Sequence, residues 1–429
     1  MDLEPSAYLL DISRTLRRTV RATGIDRVER AYARHLARLE GVVFFLARLP
    51  GGYGLFDRAL FASAAGAPAA VARCGRFGLA RMLRSHLPAG FEYLNVGHSN
   101  LGNAVFRAVR RGGAGRISAM VHDMIPLDCP QFTRRGVPAG FCRKMQSVRA
   151  HCDRVIYNSK ATKLSAEARF AGWGRPPPGV VAHLGFDPVP SGCQTDLAEM
   201  RHFVALGTIE PRKNHALLLD IWEEFGATLP PDRIPHLYIV GRRGWMNGDV
   251  FARLDAAARP GRRVHELGAL PDNEVRHLLG GAGALLFPSL AEGFGLPVGE
   301  ALQLGTPAIC SDLPVLREVY GDYPLYVQPK DRASWVKSIL MLANPKNMPH
   351  DSCRRRRLAP LPAWDDHFAQ VFGNKNKCVS GHGRQATDGE AGTAGIFPAT
   401  GTQAKTASCD PQEPRTAFAA RPDAADFPG

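Results

Sequence analysis

Glu292 and Glu300 bracket the run Glu292-Gly-Phe-Gly-Leu-Pro-Val-Gly-Glu300, two carboxylates separated by seven residues with a glycine-rich turn between them. A carboxylate can accept two hydrogen bonds side by side. This suits vicinal hydroxyls such as those of a ribose, each charge-assisted bond contributing roughly 1.5 to 3 kcal/mol. Gly293 and Gly295 let the backbone turn closely enough to aim amide N–H groups at an anion or a sugar hydroxyl, and Phe294 and Leu296 complete the turn. The following residues read as a helix with Glu300 in its first turn, where an acid complements the positive helix end. Such a layout suits a sugar nucleotide, with the two acids at opposite ends of one cleft.

A second group lies upstream, in Leu206-Gly-Thr-Ile-Glu-Pro-Arg-Lys-Asn214, where adjacent cations follow a strand-ending glycine, Gly207. A departing diphosphate gathers negative charge, and a fixed donor aimed at such charge is typically worth roughly 2.7 to 4 kcal/mol. Arg212 can fork onto phosphate oxygens, and Lys213 supplies a point charge. A third group, Met120-Val-His-Asp-Met-Ile-Pro126, puts His122 and Asp123 at a strand end. Asn158-Ser159-Lys160 ends another strand, and either binds donor or acceptor groups or caps the helix that follows.

These groups need a frame that gathers strand ends. From about residue 202 short apolar runs alternate with amphipathic ones: strands are predicted at 203–207, 237–241, 264–268, 284–288, 308–311 and 325–328, with a helical period at Leu217, Leu218, Ile221, Trp222 and Phe225. The first half alternates less cleanly, with strands predicted at 8–13, 42–47, 93–96, 117–122, 155–158 and 180–184 and a helix over 27–39. The fold class is therefore α/β, two Rossmann-like doubly wound domains whose ligands lie beyond the strand carboxyl ends. The expected division is 1–188, 189–350, a linker and closing helix at 351–372 that returns to the first domain, and a disordered tail over 373–429.

The chain has 429 residues, 45% of them hydrophobic, enough for two cores, and a formal net charge of +14. A basic surface attracts phosphorylated substrates, anionic lipid or nucleic acid, but no nucleic-acid module is visible, so nucleic acid is not an expected partner. Nine scattered Cys without a Cys-x-x-Cys pair favour neither a zinc site nor a disulfide framework and fit a reducing cytosol. No apolar run reaches about 18 residues, and the start Met1-Asp-Leu-Glu4 is not read as a signal peptide. The stretch 71–87 is basic and apolar, suited to an anionic leaflet or to an ordinary surface helix, although Gly75 and Gly78 disfavour a helix throughout. There is no Asp-x-Asp, no Walker loop and no Gly-x-Gly-x-x-Gly fingerprint.

The run from Phe287 to Asp312 resembles the donor-site signature of the retaining glycosyltransferases of family 4, which have the two-domain GT-B fold, and the resemblance extends over about residues 7 to 372. It implies that Arg212 and Lys213 hold the diphosphate, although Thr208 stands where many members carry an Arg. It also implies that His122 contacts the donor hexose near its reacting carbon while Asp123 orients it, and that Glu292 positions the sugar while Glu300 holds the ribose. Gly24, in Thr23-Gly-Ile-Asp-Arg-Val28, would approach the diphosphate and acceptor with Arg27 facing the cleft. Gly241-Arg-Arg-Gly244 and Gly268-Ala-Leu-Pro-Asp272, including Leu270, would frame the nucleobase. The implied chemistry is same-face transfer with no cofactor and no required metal, the leaving phosphate helping to take the acceptor proton. The phrases around Asp11, Gly24 and His122 resemble bacterial exopolysaccharide mannosyltransferases that use GDP-mannose and a lipid-linked, polyprenyl diphosphate oligosaccharide acceptor. Cytoplasmic, peripheral association with the inner face of the cell membrane follows as an expectation. A different donor, such as UDP-glucose, and a non-catalytic sugar-nucleotide-binding role are the alternatives.

Overall fold

The computed structural model describes residues 5–17, 24–62, 70–189, 202–257, 263–343 and 360–373. The first sheet contains β1 (Ala7–Asp11), β2 (Val42–Leu49), β3 (Gly52–Phe56), β4 (Ala72–Gly75), β5 (Phe91–Asn95), β6 (Ala114–Val121), β7 (Arg154–Tyr157) and β8 (Gly179–Val181). Their order is β4-β3-β2-β1-β5-β6-β7-β8. The second contains β9 (His202–Leu206), β10 (His236–Val240), β11 (Val264–Gly268), β12 (Ala284–Phe287), β13 (Ala308–Ser311) and β14 (Leu325–Val327), in the order β11-β10-β9-β12-β13-β14. All pairings are parallel except β2 with β3 and β3 with β4. Parallel strands need crossovers, which the intervening helices supply, and buried on both faces they read as continuous apolar runs such as Ala284-Leu-Leu-Phe287.

In the first sheet the order reverses between β1 and β5; in the second it reverses between β9 and β12. Loops leaving such neighbours diverge to opposite faces and open a crevice at the carboxyl edge. The helix Gly24–Arg38, which follows β1, buries Val28, Ala31, Tyr32 and Leu36, the stripe that a period of 3.6 places on one face.

Two sequence expectations change. The stretch 71–87 is not one element: Ala72–Gly75 is an edge strand, and after a turn closed by Gly78 N–H to Gly75 C=O at 3.0 Å the helix Leu79–His86 begins. The hairpin β3–β4 itself had no readable pattern, because Gly52 and Gly54 replace the side chains that would have marked it. Second, the helix after the glycine turn is Leu296–Gln303, with Pro297 in its opening turn, so Glu300 lies in the second turn. The macrodipole therefore matters less for Glu300 than its carboxylate does.

The helix Trp364–Phe372 packs on the first half. Tyr32 Oη lies 2.8 Å from His367 Nε2, His35 stacks on Phe368 at 3.8 Å between ring centroids, and Phe372 meets Tyr8 edge-on. Residues 190–201, 344–359 and 374–429 lie outside the described residues, and with them the predicted tail from 374 on and the part of the predicted linker before residue 360.

Candidate functional site

At the carboxyl end of β9 the chain makes a single 3-10 turn, Pro211–Lys213, and Asn214 in the left-handed region starts the helix His215–Thr228. The turn aims both cations at the loop after β12. Lys213 Nζ lies 2.6 Å from Glu292 Oε1 and Arg212 Nη1 lies 2.9 Å from the same oxygen. Arg212 Nε reaches Glu210 Oε1 at 2.6 Å, and its Nη1 also donates to Ala291 C=O at 2.9 Å. Leu290 N–H donates to Arg212 C=O at 2.7 Å, so backbone as well as side chains fastens the two loops. Lys213 Nζ also sits 4.4 Å from the centre of the Phe287 ring, whose face attracts a cation.

Burial alone would push the Glu292 carboxyl up, but Arg212 and Lys213 outweigh it and hold the group at about 2. Burial lowers Lys213, and Glu292 offsets only part of that. Asp123 faces the same network: burial raises its carboxyl while Arg212 opposes the rise. The result is a dry cluster in which two cations and three carboxylates stand within interaction range.

The first sheet closes this cluster from the other side. A Cβ on Gly293 would stand 2.2 Å from His122 C=O, so only glycine allows the β6 end and the two-glutamate turn to touch. Gly295, at φ 86°, then turns the chain into its helix, with its C=O accepting from Tyr320 Oη at 2.8 Å. His122 is buried; its Nε2 donates to Val96 C=O at 2.7 Å, and burial lowers its pKa to about 4, only partly countered by that carbonyl. The ring is neutral with Nε2 protonated, leaving Nδ1 as its acceptor. His98 stands edge-on to it at 4.9 Å.

The structure thus brings Arg212, Lys213, Glu292, Gly293, His122 and Asp123 together. Gly207 and Gly241 lie just beyond β9 and β10, where Gly207 N–H donates to Val240 C=O at 2.9 Å and Gly241 N–H to Gly268 C=O at 2.6 Å. Leu270 is half-buried in the loop after β11. Phe294 turns into the core beside His183, Phe186 and Tyr320 rather than into the cleft. Asn158 and Ser159 are buried and engaged internally: Asn158 Nδ2 donates to His122 C=O at 2.9 Å, and Ser159 Oγ accepts from Thr162 N–H at 3.0 Å as a helix cap. The first two amides of that helix, of Lys160 and Ala161, donate to Glu318 of the second half, at 2.6 and 2.9 Å. Gly24 opens the first long helix against the two-glutamate turn, where a Cβ would meet Leu296 Cδ1 at 3.1 Å.

Arg27 crosses between the halves. Its Nη1 donates to Glu300 and its Nη2 lies 3.0 Å from Asp272 Oδ1. Sequence reasoning placed Arg27 at the cleft but gave it no partner, since 273 positions separate it from Glu300.

A further polar group lies at the carboxyl ends of β1 and β5 and was not foreseen. Asp11 accepts from Tyr93 Oη at 2.8 Å, Asn100 Nδ2 at 2.7 Å and Ser13 N–H at 3.0 Å, and Arg14 Nε reaches Asp26 at 2.5 Å. Glu29 accepts from Thr15 N–H at 2.7 Å, and burial, then Asp11, raises it to about 8. His98 and Asn100 both hold left-handed backbone, uncommon outside glycine and frequent where function over-determines a loop. Among the described residues no group of three or more His, Cys, Asp or Glu side chains could hold a metal ion, and no helix is long and apolar enough to cross a membrane.

Residues 198–356 match the family described as Glycosyl transferases group 1, and Arg212, Lys213, Glu292 and Glu300 fall within that stretch. The chain is 31% identical over 243 residues to a serotype-specific mannosyltransferase, WbdA, of Escherichia coli, covering 52% of this chain and 29% of that protein. It is 36% identical over 138 residues to the O-antigen chain mannosyltransferase B of the same organism, covering 32% of this chain and 35% of the relative. The chain thus spans about a third of the length of these curated relatives. Among solved structures it is similar to a sucrose-phosphate synthase from Thermosynechococcus elongatus, with TM-score 0.58 and 17% identity over 85% of this chain and 97% of that one. That likeness shows the fold, two Rossmann-like units facing across a cleft in the GT-B arrangement.

Proposed function

We propose that this chain is a retaining hexosyltransferase that moves mannose from GDP-mannose to a lipid-linked, polyprenyl diphosphate oligosaccharide in bacterial exopolysaccharide biosynthesis. The observation that carries the reading is the buried network of Arg212 and Lys213 on Glu292, pressed against His122 at the carboxyl edges of both sheets. Fixed cations in a dry site stabilise charge that develops on a leaving group, and here they face where a diphosphate would gather it. Glu292, ionised and immobile, holds sugar hydroxyls and favours positive character at the reacting carbon; Glu300 takes the ribose. No buried side chain is needed as a nucleophile. The acceptor oxygen attacks from the face the diphosphate leaves, its proton passes to the departing phosphate oxygen, and the configuration is retained. The mannosyl donor is supported by the mannosyltransferase relatives.

A membrane-borne acceptor is supported by the flank around β4. Residues 71–87 hold four arginines and no acid, and Arg73, Arg76, Arg81 and Arg84 are exposed. Phe77, 96% exposed, projects from the corner between β4 and its helix. The register of β2, β3 and β4 puts that corner at the same edge as the end of β1, about 14 Å to the side across three strand spacings and about 10 Å further along the strands. A leaflet holding the arginines would present a lipid-linked acceptor at the cleft.

The test is a panel of labelled GDP- and UDP-sugars incubated with protein and membrane lipid extract, with parallel sedimentation on phosphatidylcholine vesicles with and without phosphatidylglycerol. Label from GDP-mannose alone should enter the lipid fraction, and protein should pellet only with the anionic vesicles. Transfer from UDP-glucose instead overturns the donor; binding without transfer or hydrolysis overturns the enzyme.

A further inference from the structure

Arg27 places one guanidinium against two carboxylates that belong to separate elements of the other half: Glu300 in the helix Leu296–Gln303, and Asp272 at the start of the helix Asp272–Gly280. The guanidinium splits its donors, Nη1 to Glu300 Oε1 and Nη2 to Asp272 Oδ1, whereas a ribose offers paired hydroxyls to a single carboxylate. Both claim Glu300 Oε1, so they cannot share Glu300 fully. We infer that Arg27 competes with the ribose for Glu300, so that a nucleoside diphosphate must displace the guanidinium from that carboxylate as it binds. The inference rests on the reading of Glu300 as the ribose ligand.

Four features make displacement a local side-chain event. Arg27 and Asp272 are 38% and 64% exposed, so solvent can take over the contacts that are lost. Asp272 remains as a pivot when Glu300 is given up, which keeps the cation beside the nucleotide rather than releasing it to solvent. The halves are held elsewhere as well, by Trp245 Nε1 donating to Phe132 C=O at 2.9 Å, by Arg134 over the Trp245 ring at 5.4 Å, and by Glu318 on the amides of Lys160 and Ala161. Loss of one ion pair therefore does not open the seam. Close approach at Gly24 and Leu296 keeps Arg27 within reach of both acids throughout.

The test measures GDP binding by calorimetry for the full chain and for Arg27→Gln, Asp272→Asn, Glu300→Gln and the Arg27→Gln/Glu300→Gln pair, with 2′,3′-dideoxy-GDP as the control. Exposed and part-exposed ion pairs are weak, so Arg27→Gln should tighten GDP by about threefold to tenfold, while Asp272→Asn, which removes the partner that holds the displaced cation, should weaken it slightly. The gain should vanish with dideoxy-GDP and in the double variant, and it should shrink as salt is added. Arg27→Gln that weakens GDP binding or leaves it unchanged, while Glu300→Gln weakens it, overturns the inference and leaves the ribose reading intact. Glu300→Gln without effect overturns both.

Discussion

Glu292 and Glu29 are both buried at the carboxyl edge of a Rossmann-like sheet, yet one is held at about 2 and the other at about 8. Desolvation is the largest influence on each and pushes both upward; what differs is the company. Glu292 has Arg212 and Lys213 against it, whereas Glu29 has the Thr15 amide and shares its surroundings with Asp11, itself raised by burial and met by Ser13, Tyr93 and Asn100. Hydrogen bonds from neutral donors stabilise a carboxylate, but here they do not offset what burial removes; adjacent full charges do. The second half therefore keeps a permanent anion between cations, ready for groups that carry or develop charge. The first half keeps a protonated acid at neutral pH, able to donate a hydrogen bond.

The sharpest way to break that comparison is at the cations. Glu292→Gln should cut glycosyl transfer by about 10² to 10³-fold, read from initial rates with GDP-mannose, because a neutral amide no longer holds the two cations or the sugar. An unchanged rate would remove Glu292 from the site. Lys213→Met should also destabilise the fold, by about 3 kcal/mol in urea unfolding, because it strips a partner from a charge buried with it. Glu29→Gln should change stability at pH 3.5 by less than about 1 kcal/mol, since the group it replaces is neutral there in the folded and the unfolded chain alike.

The two acids should also separate along the pH axis. Glu292, lowered from 4.5 to about 2, contributes stability that is present above pH 4.5 and lost as pH falls toward 2. Glu29, raised from 4.5 to about 8, contributes stability that is full below 4.5 and lost as pH rises through 8. Melting curves from pH 3 to 9 should show Glu29→Gln flattening the alkaline side and Glu292→Gln the acid side. If both variants flatten the same side, the contrast between the halves is wrong.

The same contrast explains what could be read from the chain in advance. The charged network of the second half is written almost contiguously: Glu210, Arg212 and Lys213 fall within four positions, and Glu292 to Glu300 within nine, each next to an apolar run that marks a buried strand. Glu210 itself was missed because an acid beside an Arg-Lys pair reads as a surface residue. The polar group of the first half joins Asp11, Glu29, His98 and Asn100, and Asp11 meets Asn100 across 89 positions. No local pattern signals such a meeting; only the switch of strand order between β1 and β5 creates it. The alternating strands were legible because burial on both faces demands apolar runs, while β3 and β4, an antiparallel edge with glycines and an arginine, carried no such demand.

The helix Trp364–Phe372 belongs by position to the end of the second half and by packing to the first, so the chain passes between the two sheets twice. Because its contacts are with the first half, any separation of the two sheets leaves this helix with the first one and breaks the contacts of Arg27 with Glu300 and of Gly293 with His122.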